Sequence, residues 1–465
     1  MIRLFRQYFS PRNIIFIIGE GALVFLAVTL SSFFFLGKSV GIFYTLEIIW
    51  PKLLLITIIT QFSLYFNDLY ELRPTDDAVD IAARLIQSIG ITSILLAIIY
   101  FLWPELVIGR WIFFISLVLL LLFLVSWRFL YSLAINKKLF VEKVVFLGAG
   151  DLAQKIMLEL KKRTDIGYDI RSVIVERREE SHPGGFADIP IHYGFDNLTD
   201  IVDEEETASI IVSLDEKRGV MPYKELLNCK VKGVNIIDGE SFYERVTGKV
   251  LVEKINPSWL IFSDGFIKSK LTKVMKRLIE FFCSSVLLML LFPFLLLVSI
   301  SIKLDSRGPV LFSQERVGED GFLFTLHKFR SMRTDAEKEC GPVWATENDP
   351  RVTRVGRIIR KLRIDELPQL WNVFRGDMSF VGPRPERKYF VEKLDKTIPY
   401  YNERFSVKPG LTGWAQIKYP YGATEKDALE KLKYDLYYIK NMSFAFDLMV
   451  LFHTMKTVLL GKGSR

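Results

Sequence analysis

Two carboxylates stand side by side in the run Asp365-Glu366-Leu367-Pro368-Gln369-Leu370. Ahead of them arginines recur every third residue, at Arg351, Arg354, Arg357, Arg360 and Arg363. Behind them comes Val381-Gly382-Pro383-Arg384-Pro385, an arginine stiffened by a proline on either side. A carboxylate can attack phosphorus, hold a divalent cation or manage a proton. Guanidinium groups bind phosphate oxygens in pairs. Carboxylates set among such cations point to phosphoryl chemistry, in which the pair offers an anionic nucleophile or a metal ligand and Glu366 a Mg2+ ligand or proton handler.

The elements that must hold these groups are short. Val352, Val355, Ile358, Ile359 and Leu362 interleave with the arginines, which predicts a basic amphipathic helix suited to anionic lipid or to phosphates. Asp365 is expected to cap a second helix over Glu366–Phe374, with Pro368 in its first turn and Gly376 closing it. There, near several arginines, the Asp365 carboxyl is expected to keep a low pKa. Upstream, Gly308-Pro309 turns into a strand through Phe312, and Phe322 to Phe329 reads as a second strand. The two predict a hairpin across 318–321, with Arg316, Lys328 and Arg330 near its ends.

The chain begins in a membrane. Half of its 465 residues are hydrophobic, the formal net charge is +8, and the mean hydropathy is +0.24. This balance suits anionic partners. Four apolar stretches, 13–36, 46–66, 81–103 and 107–135, each have the length to span a bilayer. Arg73, Arg84, Lys137, Lys138 and Lys143 outweigh Lys38, Lys52 and Arg110 in the opposite loops, so the N-terminus and everything after the fourth span are expected in the cytoplasm. Glu20 and Arg128 fall within or at the edge of spans, facing the bundle or marking a site. A fifth stretch, 278–302, carries basic residues on both flanks and Pro293 near its middle. That pattern predicts a helix broken at Pro293 that enters one leaflet and returns on the same side. Cys229, Cys283 and Cys340 have no metal-ligand spacing, and four scattered histidines predict no zinc site.

Between the membrane segments lies soluble α/β sequence. Val144–Leu147 reads as a buried strand, Gly148-Ala149-Gly150-Asp151-Leu152-Ala153 turns into a helix, and Val173–Val175 and Ser209–Val212 read as further strands. A G-x-G-x-x-A turn can cradle a pyrophosphate or simply pack a helix against a sheet. Residues 239–270, with a short strand at Val250–Val252, read as a linker back to the membrane.

From Lys276 onward the sequence resembles the bacterial polyprenyl-phosphate phosphoglycosyl transferases that have a single re-entrant membrane helix. The resemblance rests on Ile302-Lys303-Leu304-Asp305-Ser306, Lys328-Phe329-Arg330-Ser331-Met332, Asp365-Glu366-Leu367-Pro368-Gln369, Gly376–Pro385, Lys408–Gln416 and Tyr438–Asn441. The four spans and the Rossmann-like module look like the long form of that family. Three parts follow: a membrane α-helical bundle (1–138), an α/β Rossmann-like domain (139–265), and an α+β monotopic catalytic domain (270–465) with a re-entrant helix over 278–302. The resemblance implies that Asp365 attacks the β-phosphorus of a UDP-sugar, releasing UMP, and that polyprenyl (undecaprenyl) phosphate then takes the phosphosugar. It assigns Glu366 to Mg2+ or a proton, Arg384 to nucleotide phosphates, Lys328, Arg330, Arg316 and Arg360 to further phosphate contacts, and Asp447 to a late acidic position. It also implies a multi-pass protein of the bacterial inner membrane working at the bilayer, without nucleic acid. The large non-catalytic portion leaves room for a homodimer. Two positions depart from the family pattern: Glu280 stands where aspartate is usual, and Phe292 where a small polar residue precedes the proline. Two rival readings are a membrane-tethered NAD-dependent sugar-nucleotide epimerase or dehydratase, resting on Gly148 and Gly150, and a non-catalytic nucleotide-binding scaffold. Against the former, no Tyr-x-x-x-Lys pair lies in the strand–helix region downstream of those glycines.

Overall fold

The computed structural model describes residues 2–4, 7–9, 11–40, 42–70, 78–136, 141–163, 166–176, 189–214, 220–254, 265–266, 268–333, 351–420, 422 and 424–459. The chain forms two compact units, residues 1–3 with 8–242 and residues 4–7 with 243–465.

In the first unit the apolar stretches become helices α1 (Pro11–Val40), α2 (Ile42–Phe66), α3 (Ala78–Leu102) and α4 (Arg110–Asn136). Each contains a segment long and apolar enough to cross a membrane. Their hydroxyls turn back on their own helices: Ser31, Thr60, Thr92 and Ser116 each donate to the carbonyl four residues earlier. That leaves the hydroxyl hydrogens spent before they meet hydrocarbon. Glu20, with no exposed surface, pairs with Arg128 at 2.6 Å, so both charges face the bundle.

The same unit holds a five-stranded sheet of β1 (Glu142–Leu147), β2 (Tyr168–Val175), β3 (Ile191–Tyr193), β4 (Ser209–Val212) and β5 (Asn235–Asp238), in the order β3-β2-β1-β4-β5. All four pairings are parallel. Val144 to Leu147 are wholly buried, as a strand covered on both faces requires. The order reverses between β1 and β4, the switch point of a doubly wound fold. Gly148 follows β1 at φ +101°, where a side chain would also come within 3.0 Å of the Leu214 nitrogen and the Ser213 carbonyl. Close packing therefore accounts for this glycine. Helix α5 (Asp151–Lys162) completes the turn.

The second unit opens with α6 (Lys270–Asp305), a 36-residue helix capped by Ser269, whose side chain accepts from the Thr272 amide. Pro293 lies inside it, and the helix continues on both sides. Strands β6 (Leu311–Val317) and β7 (Leu323–Phe329) form the expected antiparallel hairpin, with Leu311 opposite Phe329. Next come α7 (Arg354–Lys361), α8 (Gln369–Arg375), β8 (Ser379–Val381) parallel to β9 (Gly410–Thr412), α9 (Glu425–Asn441) and α10 (Phe444–Leu459). A buried cluster containing Val381, Tyr401, Trp414, Leu436, Tyr438 and Phe446 forms the core.

Three local expectations need correction. The arginine-rich helix is shorter than its sequence stripe: Thr353 caps it, and at Arg363 the backbone turns left-handed with φ 55°. Val250–Val252 is no strand. Val250 and Val252 join the core, the Val250 amide donates to the Lys433 carbonyl, and 252–254 forms a 3-10 turn. The stretch read as a linker, 239–270, holds a helix over Gly239–Thr247. Cys229 is buried and Cys283 is half-buried, while Cys340 lies outside the described residues.

Candidate active site

Asp365 and Glu366 occupy a single 3-10 turn, Ile364–Glu366, between α7 and α8. Asp365 does not cap α8. That helix starts at Gln369 behind Pro368, and no side chain caps it, because the 3-10 turn intervenes. Gly376 closes α8 as expected, at φ 96°.

The two carboxylates are treated differently by their surroundings. Glu366 Oε1 accepts from Lys328 Nζ at 3.1 Å and from Arg384 Nη2 at 2.8 Å. Arg363 lies 3.9 Å from its other oxygen. Burial opposes ionisation of Glu366, but Lys328 and Arg384 outweigh it and hold the carboxyl well below the ordinary range. For Asp365, among the described residues no hydrogen bond or ion pair engages its carboxylate. Burial, then the Glu366 charge, push it up to about 6 against Lys328, Arg360 and Arg384. The expectation of a low Asp365 pKa is thus reversed, because burial, with the Glu366 charge beside it, outweighs the surrounding cations. Burial also lowers the Lys328 ammonium despite Glu366.

Arg384 is aimed by its backbone. The Pro383 carbonyl accepts from the Gly410 amide at 2.8 Å, and the Arg384 carbonyl from Arg404 Nη2 at 3.1 Å. The Pro385 carbonyl accepts from Arg316 Nη1 at 3.1 Å, and the Glu386 carbonyl from the Val317 amide at 3.0 Å. Gly382 enters this segment where a side chain would lie 2.4 Å from the Lys408 carbonyl.

The predicted site residues therefore separate. Asp365, Glu366, Lys328, Arg384 and Arg360 converge, Arg360 through its field on Asp365. Arg316 sits toward the turn end of the hairpin, opposite Phe324, and steadies Pro385. Arg330 is 5% exposed and donates to the Ser306 carbonyl at 2.7 Å, tying down the C-terminal end of α6. Asp447 accepts from Lys276 Nζ at 2.8 Å and Tyr438 Oη at 2.6 Å. Among the described residues no hydrogen bond or ion pair joins it to Asp365 or Glu366. Lys276 also donates to the Val381 carbonyl at 3.2 Å, and Ser379 Oγ donates to Glu280, so this cluster fastens the N-terminal end of α6 to β8. The sequence reading missed Arg404, whose spacing from the other cations carries no signal.

Among the described residues no three His, Cys, Asp or Glu side chains gather around a metal position. Two adjacent carboxylates remain, which suits Mg2+ held jointly with substrate phosphates. Glu366 Oε2, whose ion-pair partner among the described residues is Arg363 at 3.9 Å, is the less tightly held of its two oxygens.

The sequence pattern of the bacterial sugar transferase family matches residues 271–461, and that of a CoA-binding domain matches 65–237. Over 240 residues the chain is 40% identical to a UDP-N-acetylgalactosamine-undecaprenyl-phosphate N-acetylgalactosaminephosphotransferase of Aeromonas hydrophila, covering 52% of this chain and 56% of that protein. Over 218 residues it is 41% identical to an undecaprenyl-phosphate glucose phosphotransferase of Komagataeibacter xylinus, covering 46% and 41%. The chain thus spans about half the length of these two relatives. Over 196 residues it is 42% identical to the exopolysaccharide production protein PSS of Rhizobium leguminosarum bv. phaseoli, covering 41% of this chain and 98% of that protein. With 98% of that last relative covered, and with the family pattern matching residues 271–461, which include Asp365, Glu366 and Arg384, the chain belongs to the bacterial sugar transferase family.

Proposed function

We propose that this protein transfers a sugar-1-phosphate from a UDP-sugar to polyprenyl phosphate through an aspartyl-phosphosugar intermediate. One observation carries the reading: of two adjacent carboxylates, Glu366 is tied to Lys328 and Arg384, while among the described residues Asp365 is left unbonded beside the same cations. An unbonded carboxylate with a pKa of about 6 is ionised at neutral pH and more nucleophilic than one locked in a salt bridge. Its oxygen attacks the β-phosphorus, the bond to the α–β bridging oxygen breaks, and UMP departs with that oxygen. An oxygen of polyprenyl phosphate then attacks the same phosphorus. The acyl phosphate bond breaks, Asp365 regains its carboxylate, and the product is a diphosphate-linked lipid. Arg384 and Arg360 offset the negative charge of the two anionic substrates, and Glu366 keeps Arg384 and Lys328 at the attack position. Mg2+ bound at the carboxylates together with the diphosphate would supply further charge neutralisation. The substrates in the relatives' names, undecaprenyl phosphate with UDP-N-acetylgalactosamine or glucose, support the same class of reaction.

The lipid acceptor requires a catalytic domain resting on one face of the bilayer. Both ends of α6 are anchored to the same folded domain. Arg277 donates to the Val373 and Phe374 carbonyls at its start, and Arg330 and the Val355 amide hold Ser306 and Asp305 at its finish. A membrane crossing between those anchors would divide one folded domain between two compartments. This supports a helix that dips into one leaflet and returns, with Pro293 as the point of bending. The test is UMP release when the purified protein, in detergent with Mg2+ and polyprenyl phosphate, is given a panel of UDP-sugars. Failure to release UMP from any of them would remove the proposal.

A further inference from the structure

We propose that Arg404, with Asp435, is a positioning residue that sets the aim of Arg384 by clamping its backbone carbonyl. The inference rests on the transferase reading only for its kinetic arm. Arg404 lies in a 3-10 turn, Tyr401–Phe405, and is 5% exposed. Its Nη2 donates to Asp435 Oδ2 at 2.9 Å and to the Arg384 carbonyl at 3.1 Å, and its Nη1 donates to Tyr401 Oη at 2.7 Å. Asp435, on α9, is 2% exposed. A buried arginine needs a counter-charge, and Asp435 supplies it. What the pair does beyond neutralising itself is decided by the remaining contact. One nitrogen is shared between the carboxylate and the carbonyl of the residue that grips Glu366.

Geometry favours arginine over lysine here. The guanidinium is a planar fork that reaches Asp435, Tyr401 and the carbonyl from one fixed plane. A lysine ammonium on a shorter stem keeps the charge and cannot hold all three at once. Arg384 itself has prolines on both sides, which fix two backbone angles but leave the rotation of its own peptide plane to the groups that accept or donate there. Four successive carbonyls, Pro383 to Glu386, are held by Gly410, Arg404, Arg316 and Val317. Of these four links, the one from Arg404 reaches the carbonyl of Arg384 itself. Its loss frees the arginine's backbone while leaving its side chain chemistry intact.

The experiment combines hydrogen exchange with a double-mutant cycle on the full-length protein in detergent. In Arg404→Lys, the Gly410 and Val317 amides, which donate to the Pro383 and Glu386 carbonyls on either side of Arg384, are expected to exchange at least about tenfold faster while amides of α9 keep their protection, as the loss of one charged hydrogen bond implies. In kinetics, Arg404→Lys is expected to lower kcat/KM for UMP release about tenfold with Arg384 present and less than about twofold in an Arg384→Ala background, because its effect passes through Arg384. Equal losses in both backgrounds, or unchanged exchange at the Gly410 and Val317 amides, would overturn the inference. If Arg404→Lys does not fold, Tyr401→Phe removes one anchor of the same fork and is read in the same two assays with the same expected directions. The exchange arm needs no turnover, so a protein that released no UMP would refute the transferase reading while the clamp was still decided.

Discussion

Replacing Asp365 with asparagine should make the protein more stable while abolishing its chemistry. In the folded state burial and the neighbouring Glu366 charge lift the Asp365 carboxyl from 3.8 to about 6. Below about pH 4 the carboxyl is protonated whether the chain is folded or not, and it costs nothing. Between about pH 4 and 6 the folded chain holds a proton that the unfolded chain has released, so stability falls as pH rises. Above about pH 6 the full cost of an ionised Asp365 is present, at most roughly 3 kcal/mol for a shift of this size. Asparagine removes the charge at nearly constant volume. It also takes a counter-charge away from Lys328, Arg360 and Arg384, so the expected gain is about 1–3 kcal/mol at pH 7.5. Thermal unfolding in detergent, followed at pH 7.5 and again near pH 4, measures it. The gain should be present at the higher pH and vanish at the lower one. A variant no more stable than the parent at pH 7.5, or stabilised equally at both pH values, would refute the assignment of Asp365 as the strained carboxylate.

Other outcomes follow from the same geometry. Glu366→Gln leaves Lys328 and Arg384 without their shared anion, and should lower stability by about 2–3 kcal/mol, below the range for fully buried pairs, in the same unfolding assay. The UMP-release rate should fall about tenfold per pH unit below pH 6, as the Asp365 nucleophile takes up its proton, with a plateau from about 7 upward. Chelation by EDTA should stop UMP release, and Mg2+ should restore it. Release that persists in EDTA would remove the divalent cation from the scheme.

Much of this architecture could be read from the chain, for reasons that differ by region. The spans were legible because a bilayer demands long apolar runs, and the sheet because Val144–Leu147 and Ser209–Val212 are too apolar for anything but a covered strand. Asp365, Glu366 and Arg384 could be picked out because their chemistry is concentrated in short, proline-marked segments. What escaped was whatever depends on distant partners. The arginine stripe ran past the end of its helix because the left-handed turn at Arg363 is imposed by packing into the 3-10 turn rather than by composition. Asp447 stands at the late acidic position the resemblance implies, but its engagement by Lys276, 171 residues earlier in the chain, exists only in the fold. Arg404 and Asp435 lie 31 residues apart and pair only through the tertiary fold.

The covalent step is tested most directly by mass spectrometry of the protein quenched during turnover with a UDP-sugar and Mg2+, before polyprenyl phosphate is added. The peptide containing Asp365 should gain the mass of one sugar phosphate, and lose it when the lipid acceptor follows. Accumulation of the diphosphate-linked lipid with that peptide never modified would contradict the account.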